Sequence, residues 1–182
     1  RSKNLSFNNK SLVILKPYFY TDSKFDILSF NYKIIENSNF KKLFEEKNFL
    51  KKINSKNIKL FKSKKFSRNL INALDIKFNL AYGRLNLSKK FIIANSDLYC
   101  ENIVNLLEEY PIIYFNCSIN SPDKKNLLKK IKKNYKKKDE ALNLNIKGNL
   151  NILNNRINFD FIEINNSYKA PSEDLKYFKT TF

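Results

Sequence analysis

Residues 121–164 read SPDKKNLLKKIKKNYKKKDEALNLNIKGNLNILNNRINFDFIEI. Ser121 can cap a helix, Pro122 suits its first turn, and Asp123 places an acid at the positive end of the helix dipole. The spacing predicts a helix to about Lys138, with Leu127, Leu128, Ile131 and Tyr135 as a narrow apolar stripe. Ala141–Lys147 then alternates strictly, which puts Leu142, Leu144 and Ile146 on one face of a strand. Gly148 marks a bulge or turn, and a second strand runs through Leu150 and Ile152. Arg156–Ile164 reads as a third strand; its apolar phase shifts between Phe161 and Ile162, which predicts a bulge there. A helix leading into successive strands gives an α+β class: helices packed on a mostly antiparallel sheet, with a less regular N-terminal region.

Upstream, Tyr99, Ile103, Leu106, Leu107 and Tyr110 fall on one helical face, predicting a helix from Ser96 or Asp97 to Tyr110. Pro111 ends it, and Pro111–Ile119 reads as a buried strand. Gly83 marks a turn that needs positive φ. Ile76–Leu80 is strand-like, a short helix covers Ser67–Leu74, and Ser38 can cap a helix from Asn39 to Ile53. Before it, Leu12–Leu15 and Phe25–Tyr32 are strand candidates. After the third strand, a loop holding Pro171 leads to a short Ser172–Phe178 segment. The division expected is an N-terminal extension at 1–37, a small α/β region at 38–95 and a C-terminal α+β RNA-binding domain at 96–182.

The 182 residues carry 35 Lys+Arg against 17 Asp+Glu, a formal +18, and such a surplus repels itself unless a polyanion neutralises it. Nucleic acid is the first partner implied, through lysine–phosphate contacts, and an anionic membrane surface is the second. Only Arg1, Arg68, Arg84 and Arg156 are arginine, so backbone contact is favoured over the forked reading of base edges. The candidate RNA-binding residues are Lys124, Lys125, Lys129, Lys130, Lys132, Lys133, Lys136, Lys137 and Lys138 on the basic helix. A second cluster, Lys59, Lys62, Lys64 and Lys65, interleaves with Leu60, Phe61 and Phe66, with Arg68 and Arg84 beyond it.

No histidine is present, which excludes His-based triads and HExxH zinc sites, and 2 Gly cannot supply a phosphate-cradling loop. Cys100 and Cys117 are expected as buried free thiols, with one disulfide between them as the alternative. No apolar run approaches the ~20 residues of a membrane-spanning helix, so no transmembrane segment is expected. No metal site or cofactor is expected. The adjacent acid pairs Glu45–Glu46, Glu108–Glu109 and Asp139–Glu140 do not converge on a helix, while Asp160 and Glu163 with a lysine would be the seat of any nuclease. Lys, Asn, Ile, Phe and Tyr come from A/T-rich codons, so their abundance points to an A/T-rich genome, that of an organelle or of a protist nucleus. Arg1 in place of an initiator Met implies cleavage or an earlier start.

From Lys124–Lys125 to Lys147-Gly148-Asn149-Leu150-Asn151, the chain resembles the C-terminal domain of the ribosomal protein that lines the mRNA entrance of the small subunit. In that family a helix opening with paired basic residues leads to a strand and a Gly-containing turn. Asp174–Phe182 is similar to a later stretch of the family. Asn149 stands where the family's turn has arginine, Leu128 where its helix has a third basic residue, and no GxxG loop is present. The resemblance implies that Lys124 and Lys125 face mRNA or ribosomal RNA. The function expected is a structural, non-enzymatic constituent of the small subunit of a mitochondrial ribosome. Its partners would be ribosomal RNA, neighbouring ribosomal proteins and mRNA. The alternative is an accessory subunit of a mitochondrial membrane complex that contacts anionic lipid.

Overall fold

The computed structural model describes residues 5–16, 19–30, 46–61, 73–131 and 140–181. They form a ten-stranded sheet whose spatial order follows the chain. Its strands are β1 (Leu5–Ile14), β2 (Phe19–Phe30), β3 (Ile53–Phe61), β4 (Ala73–Ala81), β5 (Arg84–Ile93), β6 (Ser96–Asn105), β7 (Ile112–Ser121), β8 (Leu142–Asn151), β9 (Arg156–Ile164) and β10 (Tyr168–Lys169). Every pairing is antiparallel except β2 with β3. Three short helices accompany it among the described residues: α1 (Lys47–Leu50), α2 (Lys124–Lys130) and α3 (Ser172–Thr181). The expected α+β layering of helices on a sheet is therefore incorrect, because strand dominates and one sheet runs through all three sequence regions.

Local chemistry accounts for the meander. Tyr82–Gly83 and Ala94–Asn95 have positive φ at both positions, the two-residue geometry that matches strand twist and joins β4 to β5 and β5 to β6. Gly83, at φ +86, is the turn anticipated in the sequence. Asn155, Asn165 and Asn166 supply the same left-handed conformation around β9, where asparagine is the non-glycine residue that tolerates it best.

The largest departure is at 96–110, where β6 replaces the expected helix. Leu98, Cys100 and Val104 point to one face of the sheet while Tyr99 and Ile103 point to the other, and Leu106 and Leu107 belong to the following turn. Apolar residues on both faces of a strand, continued by two in a turn, imitate helical spacing. Register with β5 and β7 on either side decides the outcome.

The basic helix is also shorter than its pattern implied. Asp123, not Ser121, caps it, its carboxylate accepting from Asn126 N at 2.8 Å, and regular helix ends at Lys130. Ser121 is unavailable because its hydroxyl is fully buried and hydrogen-bonded to that of Ser96 at 2.7 Å. Residues 132–139 lie outside those described, as do 31–45 and 62–72, so the expected helix at 39–53 is seen only as Lys47–Leu50 and that at 67–74 only as Ala73–Leu74 in β4.

The strands read at 111–119, 141–147 and 156–164 are present, the first two starting at Ile112 and Leu142, and 172–181 is the helix α3. The Lys147–Asn151 stretch is not a turn, because Gly148 lies inside β8. A bulge is present in β9 but not between Phe161 and Ile162, which pair regularly: Gly148 faces Phe159 while Lys147 faces Phe161, leaving Asp160 as the extra residue. Gly148 also allows a close approach. A Cβ there would lie 2.1 Å from the Asn158 carbonyl oxygen and 2.7 Å from Phe115 Cζ.

Candidate functional site: an apolar trough across five strands

Residues directly opposite in a ladder share a face, so the registers divide the sheet's side chains into two sets. One face carries Leu85, Leu87, Phe91 and Ile93 of β5 and Leu98 and Val104 of β6. Ile113, Phe115 and Ile119 of β7 join them, with Leu142, Leu144, Ile146 and Leu150 of β8 and Ile157, Phe159, Ile162 and Ile164 of β9. On β4, Ile76, Phe78 and Leu80 continue it.

The opposite face is mostly polar, with Ile92, Tyr99, Ile103, Ile112, Tyr114 and Phe161 among its side chains. It presents Asn86, Ser88 and Lys90, then Asp97 and Glu101, then Asn116, Ser118 and Asn120, and then Asn143, Asn145, Lys147, Asn149 and Asn151. Some of these groups pair, although the buried Asn158 Oδ1, like that of Asn102 on the other face, accepts no hydrogen bond. Lys90 pairs with Asp97 at 3.1 Å, Asn158 donates to Asn149 at 2.9 Å, and Lys147 stands 5.7 Å over the Phe161 ring. Tyr99 donates to Glu101 at 2.5 Å, and that bond raises the phenol above its ordinary pKa.

Helices close the apolar face at its two ends. At one, Leu127 of α2 is buried against Ile93, Ala94 and Leu142, with Phe91, Leu98, Ile119, Leu144 and Ile164 around them. At the other, Leu50 of α1 is buried with Val104 and Leu106. The Lys47 ammonium donates to the Glu108 carbonyl at 3.1 Å and fastens α1 there. Between the helices no layer covers the sheet among the described residues, and only nine apolar side chains in all of them are buried. The uncovered part is a recess of about 340 Å³ lined from β5 through β9. Full burial of a Leu, Ile or Phe contributes ~1.5–3 kcal/mol, and side chains left half-buried there forgo a share of it.

Of the lining residues only Lys89 and Asn102 are polar. Among the described residues Lys89 has no ion-pair partner, and Asn102 keeps a buried Oδ1 that accepts no hydrogen bond. An orphaned buried acceptor costs about 1–3 kcal/mol. Beside them, Cys100 and Cys117 face each other across β6 and β7 and form a disulfide, with Cα atoms 4.1 Å apart. The expected free thiols are thus corrected: cross-strand register, invisible in the spacing of the two cysteines, brings them together.

Among the described residues, the basic side chains singled out in the sequence lie at two separate places. Lys124, Lys125, Lys129 and Lys130 lie on α2. Arg84 is exposed at the far end of β5, about 30 Å away along ten strand residues. Lys59 belongs to β3, but its side chain is outside the described set. Lys62, Lys64, Lys65, Arg68, Lys132, Lys133, Lys136, Lys137 and Lys138 also fall outside the described residues. Asp160 is exposed in the bulge, whereas Glu163 is held by Asn145 at 3.3 Å and Lys169 at 3.8 Å. No group of three metal-ligating side chains occurs among the described residues, and none of their helices is long and apolar enough to cross a membrane.

No protein-family model, curated protein or solved structure matches this chain. The trough's residues went unnoticed in the sequence, although Leu85-x-Leu87-x-Lys89-x-Phe91-x-Ile93 carries the period of two that marks them.

Proposed function

We propose that this protein binds lipid, holding a hydrocarbon chain against the apolar face of its sheet. One observation carries the reading: among the described residues, the apolar face of β5–β9 lies open between two end-plugging helices. Ligand sites are concave, mostly apolar and equipped with a few polar groups, and the recess has that make-up. The +18 surplus supports the same reading, since each Lys or Arg near an anionic leaflet contributes about 1 kcal/mol. The Cys100–Cys117 disulfide supports an oxidising compartment.

Titration of the purified protein with a fluorescent fatty-acyl probe tests the proposal. Leu87→Glu, which puts a carboxylate among the lining side chains, is expected to weaken binding about tenfold or more. Asn86→Glu, on the opposite face, should bind as the parent does. Absence of probe binding by the folded parent, or equal binding by Leu87→Glu, would overturn it.

A second reading retains the lysines for ribosomal RNA, with the protein as a constituent of a mitochondrial ribosome. The observation favouring it is that Lys125, Lys129 and Lys130 are exposed together on α2. If α2 meets phosphates, the double substitution Lys129→Glu and Lys130→Glu should flatten the log–log salt dependence of RNA binding by about 2. An unchanged slope, or no RNA binding at physiological salt, sinks this reading.

A further inference from the structure

We infer that the trough takes a single-chain fatty carboxylate, with Lys89 as the partner of its head group; this rests on the lipid-binding reading above. Lys89 is the one cation in the lining, and it is placed between apolar neighbours on the sheet face instead of at the rim of a polar patch. Its ladder partners are Ile76 on β4 and Cys100 on β6, the latter joined to Cys117, so no carboxylate stands opposite it. A cation so placed complements a single negative charge carried on an aliphatic chain.

Asn102 stands diagonal to Lys89 on the adjoining strand. A carboxylate seated between them would accept from the ammonium and from the Asn102 amide N–H. The ammonium has three donors, enough to serve the head group and the orphaned Asn102 Oδ1 together. A recess of about 340 Å³ sits at the small end of the ~300–1,000 Å³ range of ligand pockets, which favours one chain over a two-chain lipid.

The test compares oleate with oleyl alcohol, which share a chain and differ in head-group charge, as competitors of the fluorescent acyl probe under conditions that ionise the carboxyl. The parent protein is expected to prefer oleate by about tenfold, Lys89→Met to lose the preference while still binding the alcohol, and Lys89→Arg to retain it. Equal affinity for the two ligands in the parent, or an undiminished preference in Lys89→Met, overturns the Lys89 assignment and leaves the lipid reading standing. Failure of the parent to bind either ligand overturns both.

Discussion

Gly148→Val is expected to destabilise the sheet by about 3 kcal/mol, the upper end of the range for overpacking. The glycine lies inside β8, opposite Phe159 on one side and Phe115 on the other. A Cβ would meet a backbone oxygen, that of Asn158, at 2.1 Å, and the Asn158 backbone is tied into the ladder and cannot rotate away as a side chain could. The second clash, with Phe115 Cζ at 2.7 Å, involves a ring that packs edge-on against Phe159 with centroids 6.1 Å apart. Urea unfolding would read the loss as a lower midpoint. Adding Phe115→Leu to Gly148→Ala should recover part of the stability, because it relieves the ring contact but not the carbonyl contact. A Gly148→Val midpoint equal to the parent's would show that β8 and β9 do not approach this closely.

Reducing the Cys100–Cys117 disulfide is expected to cost about 3 kcal/mol, since the two residues are 17 apart and a closed loop of that length restricts the unfolded chain by this amount. Urea unfolding with and without reductant measures it, and Cys100→Ser with Cys117→Ser should reproduce the reduced protein. An unchanged midpoint would mean that the thiols are not joined. The bond also ties β6 to β7 under the recess, next to Lys89 and Asn102.

The two facts that escaped the sequence, the sheet's dominance and the joined cysteines, have one origin in pairing register. β8 and β9 were legible because Leu142, Leu144 and Ile146 alternate with asparagine and lysine, and the phase change along β9 signals a bulge, though it sits at Asp160 and not after Phe161. β6 was not, because Asn102 occupies its apolar face while Tyr99 and Ile103 occupy its polar one. Only neighbouring strands resolve such a pattern. The start of α2 was legible to within two residues, and the error came from a tertiary bond, Ser96 to Ser121, that claimed the expected cap. The trough was half legible. Its apolar period is written in β5, but the recess between the two helices exists only in the assembled sheet.

The single parallel pairing, β2 with β3, sets the order in which such a sheet can assemble. From β3 to β9 each strand lies beside its predecessor in the chain and pairs antiparallel to it, so its first contact closes a loop of at most about twenty residues, the longest being β7 to β8. Phe19 of β2 instead meets Ile53 of β3, across more than thirty residues, and a larger loop closes at a greater entropic cost. The β1–β2 hairpin is thus expected to join last and to leave first, hinged on one seam. The β5–β9 strands that carry the trough, at the other side of that seam, can be complete before it arrives.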